Sequence, residues 1–115
     1  TIQSITDGVS LEFLVPTQGK PLHFYSHPNE DPFFVVVESD SVLNVYASMV
    51  NISDTPSQVD WNFPDQSSSV ALTRTMGGRY STVIDPQHCK ECVLGITITS
   101  QLSSSSQQQK GSLLV

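Results

Sequence analysis

The chain has 115 residues, a formal net charge of −6 and only five Lys and Arg. That is enough for one hydrophobic core and too little basic charge to track a phosphate backbone, so nucleic acid is excluded as a partner. Hydrophobic residues at 37% and charged residues at 14% both fall below the globular average, with Ser, Thr, Gln and Asn making up the balance, as in secreted β domains.

Val9, Leu11, Phe13 and Val15 alternate with Ser10, Glu12 and Leu14 after an Asp7-Gly8 turn signal, and this period of two predicts a half-buried strand stopped at Pro16. Leu22 to Tyr25 alternates again. His27 to Pro32 is a proline-bracketed loop carrying Asn29, Glu30 and Asp31. Phe33 to Val37 is an unbroken β-branched and aromatic run, the pattern of a strand covered on both faces. Val42, Leu43, Val45 and Tyr46 predict the next strand, followed by a polar loop with an Asn51-Ile52-Ser53 sequon. Val59, Trp61 and Phe63 alternate towards Pro64.

Val70 to Leu72 is a short strand, Met76-Gly77-Gly78 a turn, and Tyr80, Thr82 and Ile84 alternate into Asp85-Pro86. Cys89-Lys90-Glu91-Cys92 precedes a strong strand at Val93 to Thr99, with Leu94, Ile96 and Ile98 on one face. Ser103 to Gln109 is low-complexity, and Gly111 to Val115 opens a last strand. No apolar pattern holds a 3.6 period. About eight to nine short strands with regular turn signals predict an all-β fold, an antiparallel β-sandwich or barrel. No apolar run approaches the ~18 residues of a membrane span, and no basic stretch leads into an apolar one as in a secretory leader. Residues 1–115 read as a single domain excised from something longer.

Three patterns in this order, SVLNVYAS (41–48), PSQVDW (56–61) and GGRYSTVIDPQHCKECVLGITI (77–98), resemble the pre-peptidase C-terminal (PPC) domain in its divergent eukaryotic surface-protein form. The counterparts of that family's motifs are Asn44-Val45-Tyr46, Pro56-Ser57 with Asp60-Trp61, Gly78-Arg79-Tyr80, and Val93 to Ile98, spanning about residues 8 to 100. The resemblance implies a jelly-roll-like sandwich appended to a secreted or cell-surface protein, with an accessory role in attachment, spacing, or substrate or calcium binding. Asn44 departs from the aspartate that the family often carries there, which weighs against calcium at the matched motif.

The two cysteines, Cys89 and Cys92, are spaced as the ends of a β-turn, within reach of a disulfide. A local structural disulfide is the main reading. A redox pair lacks its βαβ context, and a zinc site needs two more ligands, such as His88 with His23 or His27. Asn51 is a valid glycan acceptor; Asn62-Phe63-Pro64 is not. Asn29, Glu30 and Asp31, with Asp7, Asp40 or Asp60, are oxygen donors suited to calcium, set against the plainer reading of solvated loop charge.

Trp61, Tyr46 and Tyr25 are candidates for a sugar-stacking platform, although the phase of Trp61 with Val59 and Phe63 points to the core. No nucleophile-elbow, zincin or P-loop motif occurs, and neither an enzyme nor a resident cofactor is expected. The expectation is a non-catalytic structural or adhesive module making spacing or protein–protein contacts outside the cell. The alternative is a carbohydrate- or calcium-binding accessory module.

Overall fold

The computed structural model describes residues 2–15, 21–26, 32–40, 42–53, 57, 61–64, 70–85, 91–100 and 109–115. The fold is an all-β sandwich of two five-stranded sheets, with no helix among these residues. Its strands are β1 (Ile2–Ser4), β2 (Leu11–Val15), β3 (Leu22–Ser26), β4 (Phe33–Glu38), β5 (Leu43–Asn51), β6 (Val70–Ala71), β7 (Arg74–Thr75), β8 (Arg79–Ile84), β9 (Cys92–Ser100) and β10 (Gln109–Leu114). The first sheet has the order β1-β3-β9-β5-β6 and the second β2-β10-β4-β8-β7.

The antiparallel pairs nest around the centre of the chain: β2 with β10, β3 with β9, β4 with β8, and β5 with β6. A long hairpin paired in this way and then rolled so that its successive pairs alternate between two sheets is a jelly roll. The lateral pairs β4–β10 and β5–β9 close the roll. To this plan the chain adds β1, parallel to β3, and the short hairpin strand β7 beside β8.

Period-two alternation builds the core. Phe13 and Val15 of β2, Phe24 of β3, Val35 and Val37 of β4, and Leu43, Val45 and Ala47 of β5 point inward. They meet Tyr80 of β8, Leu94, Ile96 and Ile98 of β9, and Leu113 of β10. Each large aliphatic side chain buried this way contributes about 1.5–3 kcal/mol. Phe13 and Phe24 bridge the two sheets, their rings 5.8 Å apart and tilted by 53°.

Tyr80 has a second role, because its hydroxyl accepts the buried Leu43 N–H at 2.9 Å. Tyr80→Phe leaves that donor without this acceptor at nearly constant volume. The expected cost is about 1–3 kcal/mol in denaturant unfolding; a loss of a few tenths would mean that the N–H finds another partner.

The chain passes from the first sheet to the second through the Asp7–Gly8 turn. Gly8 holds φ of +77° and donates its N–H to Val115 O at 2.9 Å, while Ser26 Oγ donates to Asp7 Oδ1 at 2.8 Å.

Several strands differ from their sequence patterns. Phe33 to Val37 forms the central strand of its sheet, but it is not covered on both faces: Phe34 is 68% exposed. The strand that is covered on both faces is β9, where every residue from Cys92 to Ile98 is buried. β5 runs to Asn51, beyond the point where a polar loop is expected. Trp61 to Pro64 carries no strand, and β1 and β7 have no apolar alternation to announce them.

Candidate functional site

The outer face of the first sheet gathers more aromatic side chains than any other surface among the described residues. Alternation turns His23 and Tyr25 of β3, Tyr46 and Val50 of β5, and Val93, Gly95 and Thr97 of β9 away from the core. The register aligns them in rows: His23, Thr97 and Tyr46 in one, Tyr25, Gly95 and Ser48 in the next, then Val93 with Val50. Trp61 to Pro64 lies across these rows. Phe63 stacks on His23 with ring centroids 4.6 Å apart and planes 28° from parallel. Trp61 meets Tyr25 edge-on at 5.2 Å and 89°, and lies 6.2 Å from Phe63.

Gly95 makes this overlay possible. A Cβ at that position would lie 2.6 Å from Val50 Cγ2, 3.2 Å from Pro64 Cδ and 3.4 Å from Phe63 Cδ1. A glycine inside a central strand gives up packing and backbone entropy, and close approach of another segment is the usual reason for it. Here the segment is Phe63–Pro64, which accounts for the full burial of Val93 and the near-full burial of Thr97 on an outer face.

His23 is held by the same overlay. Its Nδ1 lies 3.0 Å from Thr97 Oγ1, and burial lowers its pKa below the ordinary histidine value, because the charged ring loses hydration there. The neutral imidazole, stacked on one face and hydrogen-bonded at one nitrogen, is a structural partner of Phe63.

Trp61 is therefore placed differently from its phase with Val59 and Phe63. It stands outside the sandwich core, half-buried on the sheet surface. Tyr25 and Tyr46 are half-buried on the same face, one row apart and two strand spacings distant, about 10 Å. The structure thus brings all three platform candidates to one surface, with Phe63 and Pro64 over Gly95 on the strand that separates the two tyrosines. Phe63 was not nominated by sequence reasoning, and His23 only as a possible zinc ligand. The cue available was Gly95 inside an otherwise strong strand.

Asn51 ends β5, exposed. Its Oδ1 accepts both the Ser53 N–H at 2.9 Å and the Ser53 hydroxyl at 2.7 Å, a turn closed by the side chain. Ile52 N–H donates to Glu91 O at 2.8 Å, tying the sequon to the residue before β9. Cys92, opposite Asn51 in the register, is 7% exposed and is not a free thiol. Cys89 lies outside the described residues, as do His27, His88, Asn29, Glu30, Asp31 and Asp60. Among the described residues no group of three or more His, Cys, Asp or Glu side chains gathers to hold a metal, and Asp7 is engaged by Ser26.

A cleft of about 860 Å³ opens at the sandwich end near Phe13, Leu22, Phe24 and Gly111, with Glu38 and Lys110 on its wall. Among its polar groups, Ser39 Oγ donates to Lys110 O at 2.6 Å, and Glu38 is engaged by Arg79 of the next strand at 2.8 Å.

The chain matches no family model, no curated protein and no solved structure.

Proposed function

We propose that this chain is a non-catalytic structural or adhesive module, of the kind its resemblance to the PPC domain suggests, which makes protein–protein contacts or sets spacing in a secreted or cell-surface protein. The observation that carries it is the outer face of the second sheet. There Phe34 is 68%, Val83 53% and Leu114 40% exposed, with Phe34 opposite Val83 and Leu114 opposite Val36 in the register. A contiguous apolar group at the centre of a sheet face, rimmed by polar residues, is the composition of a contact surface.

An extracellular setting goes with two modifications that we propose at one end of the first sheet. One is a disulfide between Cys89 and Cys92, since the chain has no other cysteine with which Cys92 can pair within it. The other is a glycan on Asn51, whose exposed side-chain turn presents the amide to solvent.

The second reading, a carbohydrate-binding accessory module, draws on Trp61, Tyr25 and Tyr46 sharing one face. Calcium binding belongs to the same alternative, through Asn29, Glu30 and Asp31. Trp61 is the only tryptophan, so its fluorescence reports this face alone. Under the structural reading its emission is unchanged by millimolar mono- and oligosaccharides, and millimolar calcium leaves the thermal midpoint where it was. A saturable change of emission with sugar, or a midpoint that rises with calcium as mass action requires of a ligand of the folded state, overturns that reading in favour of the alternative.

A further inference from the structure

The two outer faces of the sandwich are treated differently by the chain. The first is overlaid by Trp61–Pro64 and buried down to Val93. The second carries no such overlay among the described residues. Its outward residues are Glu12 and Leu14 of β2, Lys110, Ser112 and Leu114 of β10, Phe34, Val36 and Glu38 of β4, Arg79, Ser81 and Val83 of β8, and Thr75 of β7, as the burial alternation and register place them. They form a map of four rows, of which the outermost pairs Leu14 with Lys110 and the other three follow. The first runs Glu12, Ser112, Glu38, Arg79, Thr75 across all five strands. The second runs Leu114, Val36, Ser81, and the third Phe34, Val83.

We propose that this face is a self-association surface, on which a second copy of the chain packs face to face about a two-fold axis running along β4. The inference deepens the contact role proposed above, on which it rests, by naming the partner.

Self-complementarity selects the partner and the axis. β4 is the middle strand of the sheet, so a two-fold axis along it exchanges β10 with β8 and β2 with β7. Phe34 and Val36 then meet their own counterparts on the axis, and Leu114 of each copy faces the β8 side of the other. In the charged row, Arg79 of one copy falls over Ser112 of the other, between Glu12 and Glu38 on its flanking strands. Glu12 falls over Thr75, beside Arg79. Each copy therefore sets Arg79 beside Glu12 of the other, twice by symmetry, as an isologous contact requires. Glu38 lies on the axis but is already neutralised by its own Arg79, with 2.8 Å and 3.0 Å contacts. A two-fold axis across the strands would instead lay Arg79 on Val83, setting a charge on an apolar side chain.

The charged row lies at one margin of the apolar group and is rim-like, where pairs fix register more than they add affinity. The strands of this face, five residues in β2, six each in β4, β8 and β10 and two in β7, cover roughly 400 Å² at sheet spacings. Two such faces bury about 800 Å², in the range of weak, transient contacts. The dimer is accordingly weak and concentration-dependent. Asn51, at the end of β5 in the other sheet, keeps a glycan off this contact.

Sedimentation equilibrium of the chain from micromolar to about millimolar concentration tests the proposal. The expected average mass rises from 12.6 kDa towards twice that value. Phe34→Lys should hold the monomer mass throughout with its thermal midpoint unchanged, since the side chain is already in solvent; Val83→Lys serves should that variant fail to fold. Glu12→Arg should weaken association about tenfold or more by setting it against Arg79 of the other copy, and Glu12→Gln should weaken it less.

A wild-type chain that stays monomeric at about 1 mM overturns the proposal. So does a Phe34→Lys chain, or a Glu12→Arg chain, that associates as the wild type does. None of these outcomes touches the Trp61 fluorescence or the calcium response, which judge the structural role separately.

Discussion

Gly78→Ala is expected to lower stability by about 2–4 kcal/mol and the thermal midpoint by roughly 10–20 °C. Gly78 holds φ of +77°, a conformation that costs an L-residue about 1–2 kcal/mol. A Cβ there would also run into the carbonyl oxygen of Ser39. That contact is with backbone and cannot be relieved by a rotamer. It also sits inside a hydrogen bond, because Ser39 N–H donates to Gly78 O at 2.9 Å, joining the end of β4 to the β7–β8 turn.

The neighbouring Gly77 provides the control. Its φ is +90°, yet nothing lies within 4 Å of a Cβ built on it, so Gly77→Ala should cost about 1–2 kcal/mol from the backbone alone. Denaturant unfolding of both variants separates the two contributions. Equal losses would mean that the Ser39 carbonyl yields without cost.

Gly95→Val is expected to dislodge the Trp61–Pro64 overlay while leaving the strand pairing in place. Valine suits a central strand better than glycine, so on local preference alone the substitution should be harmless. The space above it decides otherwise. A Cβ already lies within 2.6 Å of Val50 Cγ2 and closer than ordinary contact to Pro64, and two further methyl groups have nowhere to go. Overpacking of this kind costs about 1–3 kcal/mol. The segment with the fewest constraints, residues 61–64 outside the sheet ladder, is the one that moves.

The expected readouts are a red-shifted Trp61 emission, greater acrylamide quenching, and far-ultraviolet circular dichroism that keeps its β signature. Since His23 loses its Phe63 cover in the same event, its titration should return towards the ordinary value as hydration is restored. An unchanged Trp61 emission would show that the overlay does not depend on Gly95.

Part of the site was legible before folding. Trp61, Tyr25 and Tyr46 could be nominated as aromatics, and the structure sets them on one face. What the alternation got wrong was which face. Val59, Trp61 and Phe63 share a phase, but phase distinguishes one side of a strand from the other and does not say which side is the core. Trp61 to Pro64 forms no strand, and its apolar side chains are buried from outside the sheet. The same limit explains Phe33–Val37: an unbroken apolar run is compatible with two covered faces or with one covered and one exposed. Phe34 at 68% exposure and Val93 at full burial are opposite outcomes of similar patterns. The difference lies in a segment thirty residues distant from β9 in the chain.

By itself the sequence determined the all-β class, most strand positions, the Asp7–Gly8 and Met76–Gly78 turns, and the inward set of Leu94, Ile96 and Ile98. These follow from period-two alternation and from backbone conformations only glycine adopts readily, both local in the chain. Tertiary structure alone decided the nested pairing that makes the sandwich a jelly roll, the parallel β1, the overlay that covers one outer face, and the bare apolar group on the other. Those features join residues tens of positions apart, and their energies come from surface that local pattern leaves unassigned until the sheets have packed.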